Sequence, residues 1–142
     1  KGQELNLGET PFLLNANNKE TLRTMRVIAR QISEYIFDVT DEERLRYHLA
    51  AVYVNNFTNH MACIADQILS SNDLDPDVLR PIMESTFDKI LNNNPCDIQT
   101  GPAARNDIQL QRRHLKLIKD DEHWTKIYKT ISDSISKSNE TK

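Results

Sequence analysis

The sequence predicts a mainly α-helical chain opened by a single βαβ unit. Two observations carry that expectation. Two short apolar runs, Pro11-Phe12-Leu13-Leu14-Asn15 and Tyr35-Ile36-Phe37-Asp38-Val39, flank a stretch with helical spacing. From residue 40 onward every apolar stripe has a helical period, and the one glycine in that part is Gly101.

Each element has a local reason. Pro11–Asn15 is short and apolar, which suits a buried strand. Asn17 or Asn18 can cap a helix with Glu20 in its first turn, and Leu22, Met25, Ile28, Ala29 and Ile32 form its stripe. Tyr35–Val39 is aromatic and β-branched and reads as a second strand. Strand, helix and strand within residues 11–39 make a βαβ unit with parallel strands. Two strands are too few for a stable sheet. The chain also begins at Lys1 and not at Met. Residues 1–39 therefore read as the tail of an upstream domain, and residues 40–142 as a helical domain.

That domain opens with Thr40-Asp41-Glu42-Glu43, a capping box in which hydroxyl and carboxylate satisfy each other's free backbone donors. The helix it starts runs without Gly or Pro to about Ser71, a length of about 45 Å. Asp75-Pro76 starts another helix, with Leu79, Ile82, Met83, Phe87 and Ile90 as its expected buried stripe and Asn92-Asn93-Asn94-Pro95 as its stop. A helix over 107–119 follows the glycine turn. The last runs from Asp121 to about Ser136, with Trp124, Ile127, Tyr128, Ile131 and Ile135 on one side, and residues 137–142 are expected to fray.

Composition narrows the function. A chain of 142 residues, 38% hydrophobic and 27% charged, has room for about one core. No apolar run approaches the roughly 20 residues of a membrane helix, and the polar first ten residues are no signal peptide. The net charge of -3 is uneven: residues 40–99 carry four basic and ten acidic side chains, residues 100–142 nine and six. That disfavours nucleic acid as a partner and leaves the C-terminal part the more anion-friendly. Two cysteines, Cys63 and Cys96, are expected as reduced thiols in the cytoplasm. His60 and Cys63 lie one helical turn apart, but no other Cys or His completes a metal site, so none is expected.

Two segments are candidates for chemistry. On the long helix, His48, Asn55, Asn59 and Asp66 fall within an arc of about 40° at about 100° per residue. From His48 to Cys63 there is no Lys, Arg, Asp or Glu. Uncharged amides and an imidazole suit a cleft that reads a ligand by hydrogen bonds, although they could equally cap neighbouring backbone. His48 taken singly fits a packed histidine better than a proton-transfer group. The second segment is Thr100-Gly-Pro-Ala-Ala-Arg-Asn-Asp107. Gly101 permits backbone angles closed to other residues, Pro102 fixes the next φ, and Arg105 beside a helix start favours an anion. The plain structural account is a helix start with Asn106 as N-cap and Asp107 on the helix dipole. Thr100 and Arg105 exceed what that account needs.

His48-Leu-Ala-Ala-Val-Tyr-Val-Asn-Asn-Phe57 followed by Thr100–Asp107 resembles the C-terminal helical domain of Rossmann-like NAD(P)-dependent oxidoreductases. That domain has no defined function of its own. It is similar to the corresponding parts of pyrroline-5-carboxylate reductases, deazaflavin-dependent NADP oxidoreductases and 6-phosphogluconate dehydrogenase. The resemblance spans Pro11 to about Ile131, and members often carry glycine where Asn106 stands. It implies a helical domain like that of the 6-phosphogluconate dehydrogenase C-terminus, preceded by a βαβ remnant of a Rossmann-type sheet. It further implies an upstream domain that binds most of the NADP or NAD, a small-molecule substrate, and a homodimer. On that pattern Asn55 and Asn59 orient the substrate, His48 gives or takes a proton, and Thr100, Gly101, Arg105 and Asn106 hold an anionic group. Two rival readings remain: a helical interaction domain without chemistry, and a stand-alone anion-binding module that uses the loop alone.

Overall fold

A computed structural model describes residues 6–140. The chain is mainly helical, with one small parallel sheet at its start. It divides into two compact units, Lys1–Ala62 and Cys63–Lys142, each of which is built by its own local rules.

In the first unit, strand β1 (Phe12–Leu14) pairs in parallel with β2 (Ile36–Asp38), placing Phe12 opposite Ile36 and Leu14 opposite Asp38. Helix α1 (Lys19–Ala29) joins them, as parallel strands require a crossover. Asn18 is its N-cap, its side-chain oxygen accepting from the Thr21 N–H at 2.8 Å. Val39 N donates to Leu14 O at 2.9 Å beyond the ladder, and Phe12 N to Tyr35 O at 2.8 Å before it. Leu14, Ala29 and Val39 are buried between these elements. Ser33, also buried, accepts from Tyr35 N through its hydroxyl oxygen, which lies 2.7 Å from Thr10 O. Arg26 of α1 pairs with Asp38 of β2. Of the α1 stripe, Leu22 and Met25 are half-buried, but Ile28 and Ile32 stay exposed.

Helix α2 (Asp41–Ala51) starts at the expected capping box, with Thr40 Oγ1 accepting from Glu43 N at 3.2 Å and Glu43 Oε2 accepting from Thr40 N at 2.8 Å. Asn15 Nδ2 donates to Asp41 Oδ1 at 2.8 Å, tying the end of β1 to that first turn. The helix continues through a π-helical segment, Val52–Phe57, into α3 (Thr58–Ser70). The sequence lacked any breaker there, and the chain indeed stays helical. What changes is the pitch.

In the second unit, α3 ends in a Schellman motif. Asp73 takes φ 54°, Leu74 N donates to Leu69 O at 3.0 Å, and Asp73 N to Ser70 O at 3.3 Å. Asp75 caps a 3-10 turn at Pro76–Leu79, which passes into α4 (Arg80–Asn92). The predicted helix start at Asp75-Pro76 therefore begins as a tighter turn. The α4 stripe is not buried: Ile82, Met83, Phe87 and Ile90 are all exposed. Helical spacing states that an apolar face will be covered, but it does not state by which chain. After the glycine turn come α5 (Ile108–Leu117) and α6 (Glu122–Glu140), with Asp121 capping Trp124 N at 2.8 Å. The tail expected to fray is helical through Glu140, with the Asn139 side chain bonded to the glycine turn. Residues 141 and 142 lie outside the described residues.

Candidate functional site

The polar face of the long helix lies in the first unit for His48, Asn55 and Asn59, and all three are exposed. Asn55 and Asn56 fall within the π segment, Val52–Phe57. A π turn holds about one residue more than an α turn, so it rotates the helix before it against the helix after it by about 100°. Asn55 and Asn59 remain in line, being four residues apart across its end. His48 does not. The arc expected at a constant α pitch is therefore broken, and His48 sits about a quarter turn away from the two asparagines.

In the second unit, the glycine loop is one helical turn closed at both ends. Gly101 takes φ +108°, a region that favours glycine, and an added Cβ there would meet nothing within 4 Å. The constraint is thus backbone conformation and not crowding. Arg105 N donates to Gly101 O at 3.2 Å, closing the turn. Asn106 then adopts φ 54°. Its N–H donates to Ala103 O at 3.2 Å, and Asp107 N donates to Pro102 O at 2.8 Å. Those two bonds and the left-handed residue between them form a second Schellman motif, with Asn106 where glycine is commonest. The similar tolerance of Asn for this conformation explains why it can stand there.

Asn106 therefore ends one turn and does not cap the next. The N-cap of α5 is Asp107, whose Oδ1 accepts from Leu110 N at 3.0 Å. The loop also uses its own donors: the N–H groups of Arg105, Asn106, Asp107 and Ile108 all go to loop carbonyls. An anion at this loop would meet chiefly the Arg105 guanidinium, which is exposed, as are Thr100 and Asn106, while Gly101 is half-buried.

Sequence reasoning missed what holds this loop. Ser136 Oγ donates to Ala103 O at 3.2 Å and Asn139 Nδ2 to Ala104 O at 3.1 Å, both from the last turns of α6. Ala103 is buried beneath them. Further back along α6, Tyr128 lies with its hydroxyl 2.9 Å from His114 Nδ1 of α5, the rings edge-to-face at 5.8 Å. Burial pushes the Tyr128 hydroxyl above its ordinary value, and a hydrogen bond from Ser132 works the other way. Tyr128, Ser132, Ser136 and Asn139 follow each other at helical spacing, so the seam was legible as a pattern. Its partners were not.

A shallow charged groove of about 360 Å³ between Lys119 and Asp133 includes none of the residues singled out from the sequence. Among the described residues no helix is long and apolar enough to cross a membrane.

Residues 10–135 match the model of a family described as "Domain of unknown function (DUF2520)". The chain belongs to that family. Among solved structures, this DUF2520 chain is similar to one from Bacteroides fragilis, described as a "putative NADP oxidoreductase". The two are 35% identical with a TM-score of 0.89, over 95% of this chain and 52% of that one. It is also similar to protein TM1727 of Thermotoga maritima, at 27% identity and a TM-score of 0.71, over 87% of this chain and 51% of that one. The DUF2520 chain thus spans about half the length of the structures it matches. No curated protein matches it.

Proposed function

We propose that this chain is the substrate-facing and dimer-forming domain of an NAD(P)-dependent oxidoreductase. The observation that carries the reading is the match over 95% of the chain to about half of a structure described as a "putative NADP oxidoreductase". The parallel β1–β2 pair supports it. Parallel sheets are covered on both faces and rarely stop at two strands, so a pair with one crossover helix fits the edge of a larger cofactor-binding sheet.

The dinucleotide fits this chain at one end only. A pyrophosphate needs a glycine-rich turn whose amides converge on it. Gly101 sits in a turn whose amides from Arg105 to Ile108 are already engaged. The exposed carboxamides of Asn55 and Asn59 do suit the hydrogen-bonding carboxamide of the nicotinamide end and a small polar substrate. When bound, the cofactor supplies the hydride chemistry. The chain's own residues would bind and orient: Asn55 and Asn59 by hydrogen bonds, and, in the loop that includes Thr100, Gly101 and Asn106, Arg105 as the charge that would hold a carboxylate or phosphate. His48, on the neighbouring helix face and clear of the cofactor ring, is the proton-transfer candidate toward the substrate alone.

The exposed apolar rows support a homodimer. Leu45, Leu49, Tyr53 and Phe57 of the first unit are 67%, 57%, 62% and 47% exposed, more than a solvated helix face tolerates. A cytoplasmic location accords with Cys63, an exposed free thiol.

The test uses the full-length protein. Calorimetry is expected to show NADP(H) binding, and Arg105→Ala or Asn55→Ala to impair turnover while the dimer persists in sedimentation. Absence of dinucleotide binding with an intact dimer would replace this reading with a helical interaction domain lacking chemistry, which the uncovered α4 stripe would then serve.

A further inference from the structure

We infer that Tyr47 is a further residue of the proposed site, in line with Asn55 and Asn59, in the place that an unbroken helix would give to His48. The inference rests on the oxidoreductase reading above.

Two turns of α-helix take about 7.2 residues, so a constant pitch puts the residue seven before Asn55 on its face. That residue is His48. The π segment at Val52–Phe57 lengthens the count by about one residue, and the residue in line becomes the eighth, Tyr47.

The apolar side of the same helix supports this register independently. Leu45, Leu49, Tyr53, Phe57 and Met61 recur every four residues. At α pitch, steps of four drift by about 40° each, about 160° across the five, and the row would wind round the helix. The π turn takes back about 100° of that drift and leaves one ridge. The Tyr53 and Phe57 rings meet edge-to-face at 5.0 Å along it. Thr58 Oγ1 donates to Tyr53 O at 3.3 Å, a five-residue reach that accords with the widened turn. The spacing that makes the ridge straight also puts Tyr47 on the opposite, polar side.

What that face offers is specific. Tyr47 is 55% exposed, and its phenol hydroxyl both donates and accepts hydrogen bonds. Ala51 stands between Tyr47 and Asn55 on the same side, and its methyl group leaves a shallow floor. A flat ring such as a nicotinamide could lie on that floor, with the phenol at one edge and a carboxamide at the other. His48 faces a quarter turn away, beside Asn56 and His60.

The test labels full-length protein with and without saturating NADP+. Tetranitromethane nitrates tyrosines and diethyl pyrocarbonate modifies histidines, with sites read by peptide mass spectrometry. NADP+ is expected to cut Tyr47 nitration about fivefold, as a ligand buried by 70–90% shields what it touches. Tyr53 nitration and His48 modification are expected to stay unchanged. Protection of His48 in place of Tyr47, of both, or of neither overturns the assignment. Calorimetry on the same samples separates the two failures. If NADP+ binds and Tyr47 is unprotected, only this inference falls; if NADP+ does not bind, the oxidoreductase reading falls with it.

Discussion

The left-handed residue Asn106 gives the sharpest test of how the glycine loop is built. Its φ of 54° lies where an L-residue is strained by about 1–2 kcal/mol, a cost that Asn bears better than most. Asn106→Ala keeps a Cβ and loses the side-chain amide, so it should weaken the loop by about 1 kcal/mol. Asn106→Gly removes the strain but gains about 0.4–1 kcal/mol of unfolded-state freedom, so the two effects nearly cancel. The reporter is the Asp107 amide, which donates to Pro102 O at 2.8 Å only while Asn106 holds its angle. In full-length protein, and after correction for intrinsic rates, its hydrogen exchange should quicken about fivefold in Asn106→Ala. It should change little in Asn106→Gly. Equal exchange in Asn106→Ala and the parent, or faster exchange in Asn106→Gly than in Asn106→Ala, would refute the Schellman account.

Four further outcomes are expected. Thr40→Ala should cost about 1 kcal/mol by chemical denaturation, since it removes the N-cap of α2. The Thr40 backbone N–H, with its hydroxyl second, holds the Glu43 carboxyl below its ordinary 4.5. That stabilisation is present above the ordinary value and lost as pH falls through the depressed one, so the advantage over Glu43→Gln should shrink on acidification. Asn139→Ala leaves Ala104 O without its donor from α6; a loss of about 1 kcal/mol should appear as faster exchange over residues 103–108 and in the last turn of the helix. Tyr128 is held above its ordinary 10.0 by burial, so the stability tied to it is present below that value and lost as pH rises further. Tyr128→Phe should therefore soften the alkaline unfolding of the protein, and an unchanged alkaline slope would remove burial as the cause.

Much of the local structure was legible because its causes are local. Asn18, the Thr40–Glu43 box and Asp75-Pro76 each lie within four residues of the backbone groups they satisfy. The αL tolerance of Asn106 likewise follows from the residue itself. That Asp107 and not Asn106 is the cap, one residue beyond what the plain structural account expects, follows because Asn and Asp serve both as caps and as left-handed stops. The seam from Tyr128 to Asn139 was visible as spacing, but Tyr128 meets His114 of another helix, and Ser136 and Asn139 donate to carbonyls 33 and 35 residues away in sequence.

What the sequence determined by itself, then, is the order of elements, most of their caps, and the two segments that carry uncommon side chains. These depend on short-range sterics and on apolar period. Only the tertiary structure decided the pitch of the long helix, which one extra residue per turn resets, and with it which of two adjacent residues, Tyr47 or His48, stands with the asparagines. It likewise decided that the loop's amides bond to the loop and that α6 holds it in place. It also showed that the α4 stripe is uncovered within the described chain. Periodicity records which side of a helix avoids water, whereas the surface that covers it depends on contacts distant in sequence.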